Sequence, residues 1–270
     1  AGPYLVAVML HGEHIAGSRF ALNVLASSAH APSCVASGAG LRVSTAGEPS
    51  RFAVQAWDEH GNLCSPPLSV FDVSVSCDSS PIVIKPTSKA LGNGRFSFSY
   101  QTEVAGTYTA RVRMATRVTR SRDPFKFTAS EEERTSIEML DIGGSPFTIN
   151  VAPGPVHPPA CGVRWTSSKD PTARDVTVGA KLKLCIQSRD RFFNERFDGG
   201  DLMTIMLKSF APAPGAVQSE KRHHLGLPAD PLVVTGEVRD NHDGSYAAEV
   251  TTTVSGEYGL FIHAASQPKK

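Results

Sequence analysis

The sequence predicts an all-β protein built from tandem two-sheet sandwiches, with a truncated unit at each end. The first observation behind this is a phrase of a turn glycine, a tyrosine and an alternating strand that occurs three times. It reads AGPYLVAVML at Ala1–Leu10, AGTYTARVRM at Ala105–Met114 and SGEYGLFIHA at Ser255–Ala264. The second is spacing: the tyrosines are 108 − 4 = 104 and 258 − 108 = 150 residues apart, domain lengths that imply tandem modules and not a solenoid of short units. The third is that the intervening chain is a series of short period-2 runs between turn residues, the pattern of strands with one buried face.

In order along the chain, residues 1–27 hold a strand at Tyr4–Leu10, the turn HGEHIAGS and a second strand at Phe20–Val24. Two strands cannot bury enough apolar surface to be stable alone, so they read as the closing hairpin of a preceding module. Residues 28–153 read as a complete domain. Phe52, Val54 and Ala56 share a face before the Asp58–Asn62 turn. Phe71, Val73 and Val75 form a third strand, and a short strand follows at Ile82–Ile84. Then come the Gly92-Asn93-Gly94 turn, the run Phe96, Phe98, Tyr100, the Tyr108 strand, a long insert at 115–142, and a closing strand with Phe147, Ile149 and Val151. Seven such strands suffice for two packed sheets.

Residues 154–270 repeat the scheme. An offset of 132 carries Gly47 to Gly179, Val54 to Ile186, Asp58 to Asp190, Asn62 to Asn194 and Val73 to Ile205. An offset of 150 then carries Gly94 to Gly244, Phe96 to Tyr246 and Tyr108 to Tyr258. The difference, 150 − 132 = 18, is a loop insert near 211–230 in the stretch APAPGAVQSEKRHHLGLPAD, and no closing strand follows. The open edge this leaves beside Tyr258–His263 is a template for pairing. Since residues 16–24 duplicate a closing strand, self-association by strand exchange is expected.

These residues resemble the filamin-type immunoglobulin repeat. The resemblance is carried by DNHDGSYAAEV from Asp240, the Gly-Tyr strand in three copies, GGSPFTINV from Gly143 with AGSRFALNV from Ala16, and SGAGL from Ser37. It implies tandem immunoglobulin-like β-sandwiches that act as spacers in a larger cytoskeletal or scaffold protein and take partner peptides as an added strand beside the third strand. By position, that site falls on Val70, Phe71, Asp72, Val73 and Ser74 in the central domain and on Leu202, Met203, Thr204, Ile205 and Met206 in the last, segments that also build core. The central domain departs from the family in carrying Pro66-Pro67 where Gly199-Gly200 stand in the last domain, and in its long insert. The alternative reading is an ectodomain of a cell-surface adhesion protein, such as those of gametes.

Other classes find little support. With 27 basic and 26 acidic side chains there is no global field to draw the chain onto nucleic acid or an anionic membrane. No apolar run approaches the roughly 20 residues of a membrane helix, and AGPYLV lacks a signal-peptide pattern, so a soluble chain without direct membrane insertion is expected. Five cysteines without CxxC spacing, and asparagines outside N-x-Ser/Thr sequons, point to reduced thiols and the cytoplasm, beside the cytoskeleton, with the extracellular face of the plasma membrane as the alternative. His11 and His14 sit in a turn without a third ligand, and His223 and His224 in a polar loop, so no metal or other cofactor is expected. No nucleophile motif orders the serines, aspartates and histidines, so catalysis is not expected. Within the long insert, Arg117, Thr119, Arg120, Ser121 and Arg122 read either as a solvated loop or as a docking segment where a phosphate would pair with arginine.

Overall fold

The computed structural model describes residues 1–77, 81–120, 134–166, 175–212 and 231–265, and the chain divides into two compact units, Ala1–Ala152 and Pro153–Lys270. Among the described residues all regular structure is β apart from short 3-10 turns.

The first unit opens with a ribbon of β1 (Gly2–Val6), β2 (Met9–Leu10), β3 (Glu13–His14) and β4 (Phe20–Val24). Strands β1 and β4 pair antiparallel with Tyr4 opposite Leu22, and β2 meets β3 across the turn His11-Gly12. Both turn residues have positive φ, as a two-residue hairpin turn needs. Nearly every apolar side chain of the ribbon is exposed.

A sandwich follows. Its strands are β5 (Val35–Ser37), β6 (Val43–Thr45), β7 (Ser50–Gln55), β8 (Phe71–Cys77), β9 (Val83–Ile84), β10 (Thr87–Gly92), β11 (Arg95–Tyr100), β12 (Gly106–Arg120), β13 (Arg134–Asp141) and β14 (Phe147–Ala152). One sheet runs β10-β11-β7-β5; the other runs β6-β14-β12-β8-β9, with β13 also on β12. The inward faces interlock as the alternation predicts: Phe52, Val54, Phe96 and Phe98 from the first sheet, Val73, Val75, Tyr108, Ala110, Val112, Ile149 and Val151 from the second, all buried. Phe52 stacks on Phe98 at 5.3 Å, and Phe71 tilts against Phe96 at 5.1 Å.

The second unit has β15 (Gly162–Trp165), β16 (Leu182–Gln187), β17 (Leu202–Pro212), β18 (Pro231–Thr235), β19 (Glu237–Asp240), β20 (Ser245–Val250) and β21 (Tyr258–Ala265). They form the sheets β15-β16-β20-β19 and β18-β17-β21. Between the two sheets lie Leu184, Ile186, Met203, Ile205, Leu207, Tyr246 and Val250.

Three features depart from the expectations. The insert at 115–142 does not begin as a loop, because the β12–β13 ladder runs on from Arg113 opposite Asp141 to Arg120 opposite Arg134. Thr116, Val118, Thr135 and Ile137 supply the β-branched residues that favour such a ribbon. Strand β10 is exposed along its whole length and carries no alternation to reveal it. Finally, the two domains differ by a third offset, 161 − 34 = 127 between Cys34 and Cys161, so five residues are inserted between β15 and β16 as well.

Candidate peptide-binding edges

Strand β8 alternates Phe71, Val73, Val75 and Cys77 toward the core with Asp72, Ser74 and Ser76 toward the outside. One edge is paired with β12 along its whole length, from Met114 opposite Phe71 to Tyr108 opposite Cys77. On the other edge β9 covers only Val75 and Ser76. Among the described residues, no strand lies along the outer edge of Phe71–Ser74. Asp72 sits at this open end with its carboxylate 2.6 Å from Lys85 Nζ and 2.6 Å from Arg113 Nη2. Hydrogen bonds from Lys85 and then Arg113 hold it below the usual carboxylate range. Val70 is not part of the strand; it ends the 3-10 turn Leu68–Val70 that follows Pro66-Pro67.

The corresponding edge in the second unit is largely taken. Strand β18 pairs with β17 at Met206, Leu207 and Lys208, the Gly236 amide donates to the Ile205 carbonyl at 2.9 Å, and the Leu232 amide donates to Ser209 Oγ at 2.8 Å. Of the five predicted residues here, Met203 and Ile205 are core side chains, and the backbone edge at Ile205–Met206 is occupied by the chain itself. Only Leu202–Thr204 lie beyond this cover. Strand β18 is the counterpart of β9, since an offset of 150 carries Val83 and Ile84 to Val233 and Val234, and Lys208 and Leu207 face these two as Ser76 and Val75 face Val83 and Ile84; the added cover is at Met206 and Ile205.

The other predicted residues are dispersed. Arg117 is an exposed residue of the β12 ribbon, and Thr119 and Arg120 continue its backbone; Ser121 and Arg122 lie outside the described residues, as do His223 and His224. His14 Nδ1 lies 2.9 Å from Ser18 Oγ.

Sequence reasoning missed two polar clusters. In each domain a buried aspartate ties the turn after the second long strand to the chain that leads into the domain. Asp58 accepts from the amides of Ser27 (3.0 Å), His60 (3.0 Å) and Asn62 (2.7 Å) and from Asn62 Nδ2 (2.9 Å). Asp190 accepts from the amides of Gly154 (2.8 Å), Phe192 (2.9 Å) and Asn194 (3.0 Å) and from Asn194 Nδ2 (2.8 Å). Burial alone would raise both carboxyls, but these donors outweigh it and both are lowered. The matching Asp and Asn at an offset of 132 were the available signal. The second cluster centres on Arg196, whose buried guanidinium donates to the Gly154 carbonyl at 2.6 Å and lies 3.0 Å from Asp198 and 3.3 Å from Asp201. Burial raises the Asp201 carboxyl in spite of Arg196, and raises the Tyr246 phenol beside it to about 12. These groups are held by one another, which suits a structural role.

The architecture is that of an immunoglobulin-like sandwich in which the third strand is flanked by its own short partner. The model of the filamin/ABP280 repeat matches residues 28–148, so the domain from β5 to β14 is a filamin repeat. Among solved structures, the chain is similar to FdeC, an Escherichia coli adhesin, at 15% identity and a TM-score of 0.53, covering 98% of this chain and 70% of that one. The Lin-41 filamin domain aligns at 19% identity and a TM-score of 0.36, over 47% of this chain and all of that one. Invasin, a bacterial integrin-binding protein, aligns at 11% and 0.47, over 97% and 42%. No curated protein matches the chain in sequence.

Proposed function

We propose that this chain is a non-catalytic interaction module of tandem filamin-type repeats, belonging to a larger scaffold of the cytoskeleton. In this reading the central repeat takes an extended segment of a partner protein along the open edge of β8, at Phe71–Ser74. The observation that carries it is that β8 is bare at Phe71–Ser74 among the described residues, whereas at the counterparts Met203–Met206 the chain itself takes Ile205, through the Gly236 amide, and Met206, opposite Thr235. An added strand would gain main-chain hydrogen bonds there, with alternate side chains facing the Asp72–Lys85–Arg113 cluster.

The domain assignment belongs to the same proposal. Residues 1–27 act as the closing hairpin of a preceding repeat, and residues 154–270 as a second repeat. The register supports the first assignment: Gly2, Tyr4 and Val6 face Val24, Leu22 and Phe20 as Gly106, Tyr108 and Ala110 face Val151, Ile149 and Phe147. A bacterial adhesin of like fold keeps adhesion at a cell surface as the second reading. The test is to isolate partners with the 270-residue chain and follow amide exchange in each complex. Slowed exchange at Phe71–Ser74 is expected. Partners that leave those amides unchanged would refute the proposal.

A further inference from the structure

The outer face of the sheet β10-β11-β7-β5 is cationic and carries no acid. Register fixes which side chains share it: Lys89 stands opposite Ser97, Arg51 opposite Ser99, and Arg95 opposite Gln55. The residues between them on these strands, Phe52, Val54, Phe96 and Phe98, fill the core, so the cations point the other way. Arg51, Lys89 and Arg95 are exposed, and among the described residues none of the three has a carboxylate within ion-pair distance. Glu48, Glu59 and Glu103 lie in the turns beyond the strand ends.

The matching face of the second unit is balanced. The repeat offsets carry Arg51 to Lys183 and Lys89 to Arg239, but they also carry Thr87 to Glu237 and Ser99 to Glu249. There Glu249 stands opposite both Lys183 and Glu237, and Lys181 Nζ lies 2.8 Å from its carboxylate. The first unit has hydroxyls at both acidic positions, so nothing on its face offsets the three positive charges. A chain with 27 basic and 26 acidic side chains thus carries a patch of one sign.

The arrangement of the cations selects the kind of partner. From strand spacing and rise, the Cα atoms of Lys89 and Arg95 are about 8 Å apart, those of Lys89 and Arg51 about 12 Å, and those of Arg95 and Arg51 about 14 Å. This triangle spreads charge over two dimensions, which matches a surface of many separate headgroups better than a single phosphate or a linear polyanion. The side chains between the cations, Ala53, Ser97 and Ser99, are small, and none is an aromatic ring on which a base could stack.

We infer that this face is a docking surface for a membrane rich in anionic lipid headgroups, held by charge with no side chain entering the acyl layer. It belongs to the sheet that does not contain β8, so it is separate from the edge at Phe71–Ser74 and leaves that edge open.

The test is sedimentation of the 270-residue chain with vesicles of phosphatidylcholine, alone or with about 30% phosphatidylserine. Binding only to the vesicles with phosphatidylserine is expected, falling steeply as salt is raised. Each of Arg51→Gln, Lys89→Gln and Arg95→Gln should weaken partitioning about fivefold, and the three together roughly a hundredfold. Lys183→Gln with Arg239→Gln, on the balanced face, should change it far less. The altered side chains are exposed, so an unchanged melting midpoint is expected for the triple variant, and the single variants carry the same reading if that variant is unstable. No binding at low salt, or binding that the substitutions leave intact, would overturn the inference. Retention on a sulfated polysaccharide or duplex DNA that the triple variant loses, with vesicles left unbound, would also overturn it and assign the face to a linear polyanion.

Discussion

The Tyr108 hydroxyl donates to the carbonyl of Val104 at 2.9 Å and lies 2.7 Å from the hydroxyl of Thr102. Tyr258 repeats both contacts with Val254 at 2.9 Å and Thr252 at 3.0 Å. The recurrent tyrosine is thus a tyrosine corner, which pins the turn ahead of its strand to the strand itself. Tyr108→Phe should keep the packing and lose the corner, at about 1 kcal/mol. Tyr108→Ala adds a cavity and should cost roughly 3–5 kcal/mol. Thermal unfolding separates the two, and an alanine variant no worse than the phenylalanine one would refute the core assignment.

Gly94 and Gly244 serve a shared purpose. Each has positive φ, and a β-carbon on either would collide with a backbone carbonyl, that of Cys64 or Arg196. Gly92 also has positive φ, yet nothing lies within 4 Å of where its β-carbon would be. Gly92→Ala should therefore cost about 1–2 kcal/mol of backbone strain alone, and Gly94→Ala distinctly more, since backbone must move. Equal losses in denaturant melts would contradict the close approach.

Phe193 has φ +66 where its counterpart at an offset of 132, Gly61, has φ +76, and its ring is 68% exposed. A bulky residue there carries strain that burial does not repay. Phe193→Asn, which tolerates this region, is expected to raise stability by up to about 1 kcal/mol, read from the melting midpoint of the second unit.

The buried aspartates set an acid limit. Their folded carboxyls are held below the ordinary value, so the stability they supply is present above about pH 4 and lost as pH falls through the folded values. Asp201 runs the other way: its carboxyl is raised, so its contribution is present at low pH and fades as pH rises. Asp190→Asn should lower the midpoint at pH 7 and narrow the gap from the parent chain toward pH 3. A gap that stays constant with pH would argue against an ionised Asp190.

The β12–β13 ribbon offers a clean excision. Thr116 faces Glu138, and replacing residues 117–137 by His-Gly would recreate the short turn between β2 and β3. Because Arg117 and Ile137 are exposed, the midpoint should move by no more than about 2 °C. Loss of a partner on excision would assign docking to the ribbon, and a collapse in stability would show that the core depends on it.

The fold was legible wherever one face of a strand is buried, because burial imposes the period of two. Phe52, Val54, Phe96, Phe98, Ile149 and Val151 announced themselves in this way. Strand β10 did not, being exposed on both faces, and the extra length of β18 over its counterpart β9 follows from pairing with β17, which the repeat offset of 150 does not reveal. The candidate edge at β8 was placed by resemblance. Its openness, and the cover over β17, depend on which short strand lies alongside, and such pairing is a long-range matter that local pattern does not encode. The aspartate ties were likewise visible only as a repeated Asp and Asn, since their partners at Ser27 and Gly154 carry no side-chain signature.

Those ties also decide how a pull on the chain is received. Tension arriving from the amino-terminal side of each domain meets the Ser27–Asp58 or Gly154–Asp190 hydrogen bond before it reaches the first strand. The load passes into the turn that carries the aspartate, and the short strands β5 and β15 are spared direct peeling. Each domain thus has a mechanical fuse at its threshold, with a strength set by one carboxylate and weakened by the same acid that protonates it.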